Sequence, residues 1–433
     1  MQHAGRGEPA SSAPLLIAAA PEGAVMSAML DLDLSNSIDI DLGSAEFKAN
    51  ARKHLAEWAK RPPFYVLNNG PPQVIVGRHA DALEVFTDPI RFASEVPRGR
   101  GYEQFDKFMG RKGIPQTDGE QHARLRRLLM PAFSSRRIAQ LESRIEDIIA
   151  GMLDEIERAG REFDAMQHYA AKLVVGALLT AMLDLNAAQK RTLLDFQAVQ
   201  PQLTAVKPAQ PWPLECWDAY QRFSAVVKEV IAERRADPRS DFVSDLVHAH
   251  DNGDKLNDEE LFDLIFAMFA ALATTPRSAS GALYMLYSHR DQLQQLLSEP
   301  SLIPDAIDEC LRIAGNGYFT FPRVATVDTS VGGTPIKKGM IVRPSPQAAN
   351  YDPEVFGDPL RFDIRRKPKM IMTFGAGPHR CIGSHLAHTT ISLAVRLLLA
   401  RFPEARLADP HFQPVYGGAV GELRMKSLPM VTN

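Results

Sequence analysis

With 433 residues the chain can bury a large core or divide into more than one domain. It is 45% hydrophobic and 23% charged, and its 49 Lys and Arg nearly balance 52 Asp and Glu, for a formal charge of −3. No global basic field marks a nucleic-acid binder, three cysteines cannot build a disulfide framework, and the cytoplasm is the expected compartment.

Residues 1–44, rich in Ala, Ser, Gly and Pro, read as a flexible N-terminal extension. The apolar piece Pro14–Ala20 is cut off by Pro21 and Gly23, too short to span a bilayer and without the flanks of a targeting peptide. No later run reads as a transmembrane anchor. A helix is expected over Ala45–Lys60, then short strands between Pro62 and Val76 around an Asn69-Gly70 turn, then a helix over 79–87. Residues 95–118 read as a polar, Gly-rich connection that carries Arg98, Arg100, Phe105 and Phe108. Helical periodicity returns at 120–130, 135–159, 165–184, 187–200, 215–235 and 241–249.

The four-proline stretch 201–214 is a loop whose Trp212 and Leu214 either cap a ligand cavity or pack on the surface. Asn257 with Glu260 three positions on opens a long helix that is apolar through Leu261–Leu272 and heads towards Arg290, a pattern that belongs in a core. Strands are expected within 322–343. An irregular proline-rich stretch follows, then a loop around Cys381, a helix over 382–400 and a hairpin within 411–431. With no repeat and no clear linker, residues 45–433 read as one mainly α domain with small β-sheets.

The most informative segment is Phe374-Gly375-Ala376-Gly377-Pro378-His379-Arg380-Cys381-Ile382-Gly383. Gly375 and Gly377 permit a sharp turn and close backbone approach to a flat ligand. Cys381 falls at or just before a first helical turn, where free amides and the positive helix end favour a thiolate, and Gly383 lets that helix press against whatever the sulfur holds. One thiolate without a partner cysteine cannot hold structural zinc or an iron–sulfur cluster, whereas haem iron requires only one. The plain alternative is a buried, inert cysteine.

The full pattern Phe-Gly-x-Gly-x-His-x-Cys-x-Gly resembles the cytochrome P450 family, of the soluble bacterial kind, and the resemblance extends from about residue 45 to the end. It implies the P450-like fold and haem b (iron protoporphyrin IX), with Cys381 as the iron ligand. Phe374 then matches the residue that shields the sulfur, and His379 one that meets a haem propionate. Glu309 and Arg312 match a structural Glu-x-x-Arg pair on one helix face, with Arg361 as the family's additional arginine and Cys310 between them simply buried. His122 and Arg126, four apart, match a propionate-binding pair, and Arg323 a third basic contact, since convergent cations suit two carboxylates. Without the resemblance, Arg124, Arg126 and Arg127 read as a solvated basic face.

The run Ala270-Ala271-Leu272-Ala273-Thr274-Thr275-Pro276 aligns with the family's Ala-Gly-x-Asp/Glu-Thr over the iron. Ala271 replaces the glycine, Ala273 replaces the acid, and Thr274 is retained. Thr274 and Thr275 are the expected catalytic residues, with protons delivered through them and water, through a substrate group, or by a chemistry that uses peroxide. Pro276 has no amide for the Leu272 carbonyl and is predicted to kink the helix beside Thr274. By analogy the pocket comprises Phe105, Phe108, Phe269, Ala270, Ala273, Phe319, Phe321 and Val420, largely apolar. Arg98 or Arg100 would meet an acidic substrate or remain solvated.

The implied activity is oxidation by molecular oxygen of a small-to-medium hydrophobic organic substrate. The implied enzyme is a monomer that draws electrons from a separate ferredoxin and ferredoxin reductase, docked in part through Arg380. The alternatives are a peroxide-using or atypical haem-thiolate enzyme, and a non-catalytic haem ligand-binding protein.

Overall fold

A computed structural model of the chain describes residues 33–67, 72–95, 113–205, 212–251, 253–271, 274–315, 317–418 and 420–432. Helices dominate, and the strands form small mixed sheets. Helix α1 (Ala45–Ala49) begins at Ser44, whose hydroxyl accepts a hydrogen bond from the Phe47 amide at 3.0 Å. The backbone leaves helical geometry at Asn50 (φ −109°), so the one helix expected over Ala45–Lys60 is two, α1 and α2 (Ala51–Trp58).

The boundary expected at Ser44 moves as well. Strand β1 (Ser37–Ile38) pairs in parallel with β2 (Phe64–Val66), and Leu42 is fully buried. Apolar Ile38 and Leu42 pack on the core instead of remaining solvated, so residues 33–44 belong to the fold. Residues 1–32 of the expected extension lie outside the described residues.

The main sheet adds β3 (Gln73–Val76), β4 (Phe92–Ala93), β5 (Arg323–Ala325) and β6 (Ile341–Pro344) in the order β1-β2-β3-β6-β5-β4. Strands β2 and β3 pair antiparallel, Phe64 opposite Ile75, as the hairpin expectation requires; Asn69 and Gly70 of its turn lie outside the described residues. Near the end of the chain β7 (Tyr416–Gly417) and β8 (Arg424–Met425) form the expected hairpin, whereas Pro429–Val431 departs to pair with Glu162–Asp164 and Arg406–Leu407.

The remaining longer helices are α3 (His79–Thr87), α4 (Gly119–Leu129), α5 (Ser135–Ala159), α6 (Ala187–Ala205), α7 (Leu214–Ala236), α8 (Phe242–Val247), α9 (Asp258–Ala271), α10 (Thr274–Ser288), α11 (Arg290–Ser298), α12 (Ile303–Ile313) and α13 (Ser384–Arg401). Helix α5 buries Ile138, Leu141, Ile145, Ile149, Met152 and Ile156, one stripe at three- and four-residue spacing, and packs against α13. The capping box that opens α9 is formed: the Asn257 side chain accepts from the Glu260 amide at 2.9 Å, and the Glu260 carboxylate accepts from the Asn257 amide at 3.0 Å. By length and composition Asp258–Ser288 is the one stretch among the described residues that could cross a membrane. In the fold, however, nearly all of α10 from Pro276 onward is buried in protein, packed on α12, α13 and the helical turns before Val174.

Two of the ionic contacts among the described residues of this bundle bear on its stability. Arg234 at the end of α7 and Asp241 just before α8 form a fully buried pair. Arg234 also donates to the carbonyls of Leu183 and Asp184, and Asp241 accepts from the Ser244 amide. Arg234 also meets half-buried Glu233 at 2.9 Å, so replacing Asp241 with Asn removes the buried one of its two countercharges, a loss of about 1.5–3 kcal/mol, which urea denaturation would report as a lower midpoint.

The second contact joins His388, in the second turn of α13, to Asp308 of α12 at 3.3 Å. The hydrogen bond with Asp308 raises the His388 pKa above its ordinary value of 6.5 despite partial burial. A raised folded-state pKa contributes stability below the unfolded value that is lost as pH rises through the folded one. The stability difference between the parent and His388→Gln should therefore be largest near pH 5.5 and shrink at pH 8.5, by urea denaturation at both pH values.

Candidate functional site

The segment from Met372 to Gly383 is set by its neighbours before any ligand is considered. Asn350 accepts from the Met372 amide at 2.6 Å and donates to the Thr373 hydroxyl at 2.8 Å, and that hydroxyl donates to the Leu311 carbonyl at 2.7 Å. Gly375 and Gly377 have φ of +65° and +67°, where only glycine is unstrained. A Cβ on Gly377 would come within 2.4 Å of the Phe86 carbonyl of α3, whereas one on Gly375 would meet nothing within 4 Å. The first position needs glycine for close packing; the second leaves an open face beside the loop. The Cys381 amide donates to the Phe374 carbonyl at 2.9 Å, and Cys381 sits two residues before Gly383, the N-cap of α13.

Cys381 is accessible at its surface, unlike buried Cys216 and Cys310. Enough protein nevertheless crowds the sulfur that burial raises its pKa, outweighing the Gly383 amide and the charges of Arg380 and Arg126 that act the other way. The groups expected to favour a thiolate, the Gly383 amide at the helix start and the nearby arginines, are present beside the sulfur, with burial opposing them.

Four basic side chains from three elements converge near this loop. His122 and Arg126 come from α4, Arg323 from β5 and His379 from the loop itself. The His122 and His379 rings lie 4.1 Å apart. Arg126 donates to the Arg380 carbonyl at 2.9 Å. Its neighbour Arg124 points elsewhere, paired with Asp254 and Glu260, so the basic run divides between two tasks. Arg323 is 4% exposed, and its side chain reaches only the Phe321 and Pro322 carbonyls at 3.5 and 3.4 Å, at the outer limit of a hydrogen bond. His122 is buried with Nε2 unpartnered. Burial, then the charges of His379 and Arg126, bring its pKa down to about 4.

These are the features expected of residues that receive an anion from outside the chain. Buried donors with poor partners would be satisfied by the two carboxylates of haem, and the open face at Gly375 suits close approach of a flat group. The residues present therefore fit the cofactor.

His379 is different, because it already has partners. Its Nε2 lies 2.9 Å from both Asp118 Oδ1 and Ser94 Oγ. Burial pushes the Asp118 carboxyl up, but hydrogen bonds from His379 and the Ser94 amide outweigh it and hold the pKa below the usual value. Asp118 and Ser94 are absent from the sequence-based site. Asp118 occupies the N-cap position of α4, yet its side chain caps nothing there and turns to His379 instead. A carboxylate next to Gly119 and four residues before His122 was the available signal.

The Glu309–Arg312 pair is fully buried, with bonds of 2.7 and 2.8 Å. The additional arginine is Arg366, whose Nε lies 3.1 Å from Glu309 Oε1. This corrects the assignment of Arg361, whose side chain is exposed and which supplies only its backbone carbonyl to Arg312 and Arg366. The segment turns at Asp363–Arg366, so the later arginine is the one aimed at α12. Cys310 is buried, as expected.

At the first residue of α10 the Thr274 hydroxyl donates to the Ala271 carbonyl, the last of α9, at 2.8 Å. Thr274 and Thr275 are half-buried and Pro276 is buried. Leu272 and Ala273, where the kink and the replaced acid fall, lie outside the described residues, as do Phe105, Phe108, Arg98, Arg100 and the Ala270 side chain. Phe269 is corrected from pocket wall to core: it is 2% exposed, with its ring 4.9 Å from Phe223 and 6.1 Å from Phe196. Helices α6 and α7 carry aromatics that cover it. Phe319 stacks on Trp58 at 6.0 Å with the Arg343 cation on its ring, while Phe321 and Val420 are exposed. Of the proline-rich loop, Trp212 is buried against Trp217 and Tyr220, whereas Leu214 is exposed.

Comparison with known proteins supports the same reading. Residues 43–410 match the family model described as Cytochrome P450. The chain is 31% identical over 355 residues to a mycinamicin IV hydroxylase/epoxidase of Micromonospora griseorubida, covering 82% of this chain and 86% of the relative. It is 32% identical over 343 residues to a nocardicin C N-oxygenase of Nocardia uniformis, covering 78% and 83%. Among solved structures, the polyketide synthase cytochrome P450 PksS of Bacillus subtilis 168 superposes with a TM-score of 0.81 at 26% identity, over 91% of this chain and all of the other (100%).

The two arginines are separable by experiment. Arg366→Ala should destabilise the protein by about 2–3 kcal/mol by removing a charge-assisted bond to a buried carboxylate, whereas Arg361→Ala should stay within about 0.5 kcal/mol. Equal losses in urea denaturation would restore Arg361 to the cluster.

Proposed function

Because the chain belongs to the cytochrome P450 family, whose members oxidise organic substrates with O2, we propose that it is a haem-thiolate monooxygenase acting on a small-to-medium, mainly hydrophobic organic compound. The observation that carries this reading is the convergence of incompletely satisfied His122 and Arg323 with Arg126 beside the loop that presents Cys381. In this reading Cys381 holds the iron of haem b, while His122, Arg126 and Arg323 receive the propionates. His379, held by Asp118 and Ser94, positions this edge of the site. Half-buried Phe374 would shield the sulfur, and Gly383 leaves room at the start of α13. When bound, the haem supplies the iron at which oxygen is activated, and cysteinate ligation favours O–O cleavage.

The chain's own part is to bind, exclude water and move protons. The Thr274 hydroxyl donates to the Ala271 carbonyl, so its oxygen lone pairs are available to accept a hydrogen bond from water. A proton can pass through Thr274 Oγ by rotation of that hydroxyl away from the carbonyl, with Thr275 beside it. Ala273 offers no acid, so the proton must come from water or a substrate group. Phe319, Phe321 and Val420 supply apolar surface near the substrate. The names of the relatives, a hydroxylase/epoxidase and an N-oxygenase, support oxygen insertion. Electrons come from a separate ferredoxin and its reductase, with exposed Arg380 on the docking face, and the enzyme works as a cytoplasmic monomer.

A second reading, favoured specifically by Ala273, is an enzyme that takes peroxide in place of O2 and reductant. The decisive measurements are spectral and kinetic. The reduced, carbon monoxide-treated protein should give the thiolate-type difference spectrum and Cys381→Ser should lose it, while Arg323→Ala should retain haem at least about tenfold less tightly, the loss of one charge-assisted contact. Product formation with reduced ferredoxin supports the monooxygenase; product formation with peroxide alone selects the second reading.

A further inference from the structure

A cleft of about 1140 Å³ lies between α5, α6, the helical turns around 166–176 and the first turn of α10. Neither the Cys381 loop nor any of the cations around it lines this cleft. Its apolar surface comes from Ile148, Met152, Met166 and Leu194. Among its cations, Lys172 is paired with Glu155 at 2.5 Å, and Arg158 donates to the Asp154 carbonyl at 3.2 Å.

Arg277 and Arg424, which also line it, are not so well provided for. Arg277 is only 8% exposed, and Nη1 lies 2.7 Å from Glu422 Oε1. Its Nε is buried with no hydrogen-bond partner. Arg424, exposed on β8 two residues beyond Glu422, has no partner among the described residues. A guanidinium that meets a carboxylate only through Nη1 keeps its Nε–Nη2 edge, the edge that pairs with a carboxylate through two parallel bonds. Leaving such a donor buried and unpaired is unfavourable, and Arg277 borders a cleft that also holds Asp147, Asp154 and Glu155, the last two already paired with Arg401 and Lys172.

We propose that this cleft binds an amphiphilic organic carboxylate. The apolar body lies against Ile148, Met152, Met166 and Leu194, and the carboxylate takes the Nε–Nη2 edge of Arg277, with Arg424 as the second cation. Arg277 is three residues beyond Thr274 on the same helix, so the occupied site adjoins the catalytic turn without being part of the haem contacts.

Isothermal titration of the haem-loaded protein with dodecanoate and with uncharged dodecanol tests this, with saturating imidazole present to occupy the iron. Dodecanoate should bind at least about tenfold more tightly than dodecanol, the difference expected of a charge-assisted contact. Arg277→Gln should cost dodecanoate about 10–100-fold while leaving dodecanol unchanged, and Arg277→Lys should fall between, because the charge remains and the fork is lost. Arg424→Gln, at an exposed position that does not threaten folding, should cost dodecanoate about 3–10-fold. Equal affinity for acid and alcohol, no measurable dodecanoate binding, or no effect of Arg424→Gln would each overturn the proposal. None of these outcomes depends on whether the haem-bound enzyme turns over substrate, so the site and the monooxygenase reading stand or fall separately.

Discussion

The buried cluster of Glu309, Arg312 and Arg366 is the constraint on which the rest of the site depends. A carboxylate and a guanidinium removed entirely from water are costly unless well supplied with hydrogen-bond partners, and here both are. Glu309 accepts from Arg312, Arg366 and the Asp363 amide, and Arg312 donates onward to the Asn350 and Pro359 carbonyls. Asn350 then fixes Met372 and Thr373, from which the cysteine loop departs. The cluster thus acts on Cys381 from a distance: it determines where the cysteine loop begins.

Around that loop two electrostatic conditions coexist. His379 is satisfied internally by Asp118 and Ser94, while His122 and Arg323 are left with a missing partner and two stretched contacts. The first condition gives a fixed edge; the second gives a surface that gains from an incoming anion. Local repacking does not easily relieve the second, because Arg323 lies in the strand ladder and His122 is pinned within α4.

The parts of this arrangement legible in the sequence were those carried by local chemistry. The Asn257–Glu260 cap, the stripe of α5, the glycines before Cys381 and the i,i+3 pair in α12 each follow from spacing along a few residues, and each occurs where expected. The failures involve choices made in three dimensions. Arg361 and Arg366 lie five residues apart in one irregular segment, and only the turn at Asp363–Arg366 decides which faces Glu309. Phe269 has the spacing of a pocket wall and of a core residue alike; Phe196 and Phe223, from distant helices, make it core. Asp118 could not be chosen over any other N-cap acid until Ser94 and His379 were placed beside it. Ile38 and Leu42 are too few to mark a strand by pattern, yet pairing of Ile38 with β2 and the hydrogen bond from the Tyr318 hydroxyl to the Leu42 carbonyl fix them.

The cluster at Glu309 also carries a consequence for biosynthesis. The groups that neutralise and cap it enter the chain between 38 residues after Arg312, at Asn350, and 57 residues after Glu309, at Arg366. While the ribosome is making that stretch, α12 exposes an apolar face with an unburied ion pair at its centre and cannot settle. Its closure comes only shortly before the cysteine loop is synthesised, so helix and loop become ordered in nearly the same interval. A nascent chain arrested before residue 366 would expose this face as a natural target for chaperones and proteases.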